Sequence, residues 1–138
     1  MDERIFNRLK VMIEKTYYVF GRYNVPATFG LIYHHKPILP IELGQYVRKS
    51  DHFLMVDEHY CFINFEFTNQ KDAFKASQNL IASLDNHFQD TTTKIALDSF
   101  DVNQSPNVVY NRLMQILKEI QKDPYSRIDD ENVLNGVI

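Results

Sequence analysis

Apolar residues recur at spacings of three and four near the start of the chain, at Ile5, Leu9, Met12, Ile13, Tyr17 and Phe20. That period places one stripe of a helix against a core, with Asp2 as its cap and Gly21 at its end. Asn24-Val25-Pro26 breaks the chain, and Ala27 to Tyr33 follows as a short apolar run. The run is too short for a typical helix and reads as a buried strand, in which Gly30 permits close approach of another backbone. Pro40 suits the first turn of a helix running to about Lys49, with Ile41, Leu43, Tyr46 and Val47 available for burial. His52 to Val56 and Tyr60 to Phe67 then read as two strands of a hairpin, joined by the polar cluster Asp57-Glu58-His59.

Asn69 can cap a long helix whose apolar side carries Ala73, Phe74, Leu80, Ile81, Leu84 and Phe88. A strand is expected from the Thr91-Thr92-Thr93 run through Phe100, with Ile95 and Leu97 on one face and Ala96 and Phe100 on the other. Ser105-Pro106 is a cap followed by proline at the first helical position, and Val109, Leu113, Ile116, Leu117 and Ile120 form that helix's stripe. Residues 123–138 are either a short added strand or a frayed tail. Without the first and last helices the order is βαββαβ, so the expected class is α+β: a ferredoxin-like sheet with helices on one face and an N-terminal helix added. One domain is expected over residues 1–138, divided into a helix at 1–24, a core at 25–122 and the tail.

Composition narrows the function. The chain is 44% hydrophobic and 13% aromatic, enough for a sizeable core, and its formal charge of -3 lacks the basic surplus of a general nucleic-acid or anionic-membrane binder. Neither a signal-peptide pattern nor a run of roughly 18 apolar residues is present, so a cytoplasmic protein is expected. Cys61 is the single cysteine, which excludes an internal disulfide and a Cys-based zinc site. Its apolar neighbours suggest a half-buried structural thiol.

The run Tyr46-Val47-Arg48-Lys49-Ser50-Asp51, followed by an apolar strand, an acidic turn and another apolar strand, resembles the centre of GGDEF domains, the diguanylate cyclases and their degenerate relatives. Thr68 to Ala73 resembles the family's next helix opening, and Lys94 to Phe100 and Asn107 to Lys122 stand where its later strand and last helix run. The resemblance spans about Thr16 to Ile128 and implies a nucleotidyl-cyclase-like fold. It also implies a signature turn, which falls on Val56, Asp57, Glu58, His59 and Tyr60 if strand alternation is matched. Keeping the family's spacing after Arg-x-x-Asp places it on Asp57 to Cys61 instead. Either way the two glycines are missing, and the family uses them to let backbone approach the nucleotide phosphates. The family's first strand ends in Asp-x-Asp, whose carboxylates hold magnesium; here Tyr33-His34-His35-Lys36 stands in that place, with no carboxylate. No catalytic residue, metal ligand or cofactor is therefore assigned.

Arg48 and Asp51 are the family-like pair most nearly intact, and the resemblance makes them a candidate site for cyclic di-GMP. A guanidinium forks onto phosphate, and a carboxylate accepts from guanine N–H groups. The alternative is structural, with Arg48 and Lys49 at a helix C-terminus. His34, His35, His52 and His59 are expected to be solvent-facing loop side chains, since adjacent strand positions diverge. Tyr17, Tyr18, Phe20 and Tyr23 cannot all face one core, so a homodimer is expected through Tyr18 and Phe20, or Tyr17 and Tyr23, whichever pair stays exposed. Tyr110 and Met114 widen the last helix's stripe into a second candidate surface. The leading functional expectation is an inactive, degenerate signalling domain that binds an unidentified protein partner; the alternative is a nucleotide sensor, and an active cyclase ranks third.

Overall fold

The structure is a computed structural model describing residues 1–99 and 104–136. Helix α1 (Glu3–Thr16) starts where Asp2 Oδ1 accepts from the amides of Arg4 and Ile5, at 2.7 and 3.3 Å. A π-helical turn, Tyr17–Gly21, continues it. Strand β1 (Ala27–Tyr33) leads to a short helix α2 (Pro40–Gly44), and β2 (His52–Met55) and β3 (Tyr60–Glu66) form the hairpin. Asn69 accepts from the Asp72 amide at 2.9 Å to open α3 (Gln70–Phe88), which precedes β4 (Lys94–Ser99). Ser105 and Pro106 open α4 (Pro106–Gln121), as the cap-and-proline pattern predicts.

The chain closes on a two-residue strand β5 (Ile128–Asp129) and a 3-10 turn at Glu131–Gly136. Of the two expectations for the tail, the added strand is the one realised. Arg127 anchors it by forking onto Asp85 and donating to the Thr93 carbonyl at 2.9 Å. Lys94 completes the corner by donating to the carbonyls of Asp123 and Ser126, at 3.1 and 2.6 Å, just past the end of α4.

The sheet runs β2-β3-β1-β4-β5, with β1 antiparallel to both neighbours and β5 parallel to β4. Strand alternation divides the core. Phe29, Leu31, Leu54, Phe62 and Ala96 pack with Leu9 and Ile13 of α1 and with the stripe of α4. Ile32, Cys61, Ile63, Phe65, Ile95 and Leu97 face the other way, onto Leu43 of α2 and Ala73, Leu80, Ile81 and Leu84 of α3. The two helices of the βαββαβ unit thus share one face, as expected, and the added first and last helices cover the other. Gly30 is needed where it stands: a Cβ there would lie 2.9 Å from Ile63 Cγ2 and 3.1 Å from the Phe65 ring.

Several expectations need correction. Helix α2 stops at Gly44 rather than near Lys49, because the chain tightens into 3-10-type turns that bury part of Tyr46 and set its hydroxyl 2.9 Å from His87 Nδ1. Arg48 is accordingly not in a helix's last turn. Strand β4 starts at Lys94, since Thr92 is held in a turn by the Asp90 carboxylate at 3.2 Å. Phe100 lies outside the described residues. Cys61 is fully buried, not half-buried, and burial pushes its thiol pKa up. Tyr110 and Met114 pack partly buried against the α1–α4 core. Neither expected aromatic pair is exposed as a pair: Phe20 is buried and Tyr17 half-buried, whereas Tyr18 and Tyr23 face solvent with the Arg22 guanidinium over both rings.

Candidate functional site

The pole of the sheet where β1 ends also holds the β2–β3 turn, because Tyr33 pairs with Tyr60. The turn needs no glycine. None of Val56 to Tyr60 has a positive φ, and Asp57 organises the loop by accepting on Oδ1 from the amides of His59 and Tyr60, at 2.7 and 2.9 Å. The Val56 amide donates to the Tyr60 carbonyl at 2.9 Å. These amides are spent internally, whereas an anion-binding turn must keep them free.

The chain leaving β1 is laced to the same turn. The His34 amide donates to the His59 carbonyl at 3.0 Å, the Ile38 amide donates to the Glu58 carbonyl at 2.8 Å, and His59 Nδ1 lies 3.1 Å from the His34 carbonyl. Ile38 is buried beneath this strip. Asp57 and Glu58 stay exposed, while His59 and Tyr60 are half-buried.

His34 departs from its expected place in solvent: its side chain is 0% exposed. Its ring stacks on Phe88 with centroids 4.2 Å apart, Nδ1 meets Thr93 Oγ1 at 2.6 Å, and Nε2 lies 3.4 Å from Asp90. His35 is exposed, so the two do diverge, although both lie past the end of β1. His52 is exposed and pairs with Glu66 across the hairpin. Nothing in the local pattern marks Asp90 or Thr93 as partners of His34; the threonine run before β4 is the nearest signal.

Burial lowers the His34 pKa below 6.5, outweighing the opposing pull of Asp90, while Lys36 adds to the lowering and Asp85 opposes it. Burial would raise Asp90, but the Thr92 amide and the histidine more than reverse it, leaving it low. Between the unfolded and folded histidine values the unfolded chain holds more protons, so stability falls as pH drops below about 6.5. Denaturant titrations at pH 7 and 5.5 should show this loss, and His34→Gln, which cannot titrate, should reduce it. Equal losses in both proteins would remove His34 as the source.

Arg48 and Asp51 occupy the opposite end of β2, beside the end of β3. They are not brought to the turn, since four residues of strand separate the ends by about 13 Å. Arg48 Nε and Nη2 donate to the two Asp51 oxygens at 2.7 and 2.8 Å, and Nη2 also donates to Thr68 Oγ1 at 2.8 Å. The Asp51 side chain is 1% exposed and that of Arg48 43%. Hydrogen bonding to Asp51 raises the Arg48 pKa further. The pair is a preassembled fork in which the arginine side chain, and not the carboxylate, reaches solvent.

No family model matches the chain, and no curated protein matches it. Solved structures do. The diguanylate cyclase SiaD of Pseudomonas aeruginosa, in complex with its activator SiaC, superposes with a TM-score of 0.73 at 8% identity; 90% of this chain aligns, spanning 57% of that one. The active GGEEF domain of a diguanylate cyclase from Vibrio cholerae gives a TM-score of 0.71 at 14% identity, covering 91% of this chain and 95% of that one. The GGDEF domain of DgcB from Caulobacter crescentus, in complex with c-di-GMP, gives 0.70 at 5% identity, with coverage of 88% and 86%. The protein has the fold of GGDEF domains, a mixed five-stranded sheet with an N-terminal helix.

Magnesium is what that fold implies at the end of β1, and the residues present do not fit it. The strand ends in a phenol and a buried imidazole already bonded to Thr93, where the ion requires hard oxygen ligands near octahedral geometry. Among the described residues no group of three or more His, Cys, Asp or Glu side chains is placed to hold a metal. No described helix is long and apolar enough to cross a membrane.

Proposed function

We propose that this chain is a catalytically inactive domain of GGDEF fold that works as a protein-interaction and regulatory module. The observation that carries this reading is the closed pole. The turn amides that would receive phosphates are bonded within the turn, and residues 34–38 are stitched across it. Phosphoryl transfer depends on positioned metal and phosphate-binding groups, and the pole offers neither. A fold kept without its chemistry leaves surface recognition as its function.

Incubation with GTP and magnesium, followed by chromatography, should yield no cyclic di-GMP above a protein-free control. Turnover would overturn the proposal.

A second reading rests on the intact Arg48–Asp51 fork: a sensor for cyclic di-GMP or another nucleotide. Calorimetry with cyclic di-GMP separates the two. Saturable heat supports the sensor, and none at millimolar ligand removes it.

A further inference from the structure

We infer that the groove between α1 and the β2–β3 corner docks the apolar ridge of an acidic amphipathic helix belonging to another protein, an inference that rests on the interaction-module reading and gives it a surface. The groove encloses about 720 Å³ beside the sheet's edge strand. Its apolar walls include Val11, Val19 and Phe67, which are 49%, 44% and 63% exposed, and Phe20 lies beneath. Asn7 and Phe20 bracket it along α1 and the π turn, a span of roughly 20 Å at the helical rise, or between three and four turns of a docked helix.

Two further features mark it as more than an uncovered face. Phe67 has φ 57°, a left-handed conformation that a bulky side chain adopts only under constraint, and this sets its ring 5.0 Å from that of Phe20. Asn64, 1% exposed and lining the groove, donates through Nδ2 to Thr16 Oγ1 at 2.8 Å, while its Oδ1 has no partner among the described residues. A buried amide oxygen without a donor is costly.

Charge selects the occupant. Arg8 and Lys15 line the groove, and neither forms an ion pair among the described residues. At 100° per residue, Glu3 and Glu14 fall on the other flank of α1, away from this cationic edge. The one acid in the groove, Glu66, is paired with His52. A second copy seated by two-fold symmetry would bring the same concave surface against this one, with no ridge to fill either groove. A flat bilayer cannot enter a concave groove, whereas a row of side chains flanked by carboxylates fills it.

The test is a display selection of random 16-residue peptides on the full chain. Binding is then mapped by amide chemical shifts and measured by fluorescence anisotropy. Enriched peptides should pair Leu or Phe at helical spacing with an excess of Asp and Glu, and should shift residues of the groove. The double variant Arg8→Glu/Lys15→Glu changes only exposed side chains and should keep its melting temperature. It should weaken binding at least tenfold, as should Val19→Asp. Failure of enrichment, peptides without an acidic excess, or affinity untouched by the charge reversal would overturn the groove assignment. So would sedimentation showing a homodimer that Val19→Asp dissolves, because the occupant would then be a second copy. Peptides that map to another face would end this assignment and leave the interaction-module reading standing. Cyclic di-GMP synthesis would end that reading whatever the groove binds.

Discussion

Replacing Arg112 with leucine should destabilise the fold by about 3–5 kcal/mol. Asp98 on β4 is 2% exposed and accepts on both oxygens from Arg112 of α4, at 2.8 and 3.1 Å. Burial holds its pKa above the usual carboxylate value, and Arg112 offsets only part of that effect. Without the guanidinium the carboxylate must either stay charged among apolar groups or take up a proton, and both cost free energy. Leucine keeps most of the arginine stem's packing, so the loss reports chiefly on the charge. Since the folded state then holds its proton more readily than the unfolded one, the deficit should shrink as pH falls from 7 toward 4. Replacing both residues with leucine should recover much of the loss, as for other buried pairs exchanged for apolar groups. Urea unfolding at two pH values decides it. A single variant within 1 kcal/mol of wild type would show that the pair carries little.

Those two residues also mark how far the sequence could be read. Local periodicity and caps suffice for α1, β1, the hairpin, α3 and α4, because Asp2, Asn69 and Ser105 each satisfy amides within their own first turn. Side-chain bonds between elements leave no such trace: Asp98 and Arg112 are fourteen positions apart, and His34 and Thr93 fifty-nine. A histidine after a strand reads as a loop residue until α3 returns to lay Phe88 on its ring. Strand β5 depends on tertiary anchoring, with the Ile95 amide donating to the Arg127 carbonyl at 2.9 Å. The groove left one legible signal, Val11 and Val19 standing off the apolar stripe of α1. Without the sheet corner, nothing says that Phe67 and Asn64 would meet them. The closed pole was half visible: missing glycines and carboxylates can be read directly, but the strip from His34 to Ile38 that covers the turn cannot.

Arg48→Ala should cost about 2 kcal/mol, less than Arg112→Leu, for a reason the exposures supply. Asp51 is as deeply buried as Asp98, but the Arg48 side chain is 43% exposed, so water follows into the space it leaves and solvates part of the abandoned carboxylate. The loss also includes the bond to Thr68 Oγ1, whose own hydroxyl donates to the Glu66 carbonyl at 2.7 Å, and the guanidinium's place 5.8 Å from the Phe65 ring centroid. Converting Asp51 to Asn in the Arg48→Ala background should restore part of the stability, and the coupling measured by the double-mutant cycle should approach 1 kcal/mol or more. Such coupling makes Arg48 a clamp on the β2–β3 end first. An anionic ligand would then have to share or displace a fork already bonded to Asp51, which lowers its affinity by the cost of that exchange. Arg48→Lys keeps the charge and loses the bidentate geometry, so it should lose stability while retaining any purely electrostatic attraction. If Arg48→Ala instead unfolds within 0.5 kcal/mol of wild type and abolishes cyclic di-GMP binding, the pair is a ligand site and the clamp assignment fails.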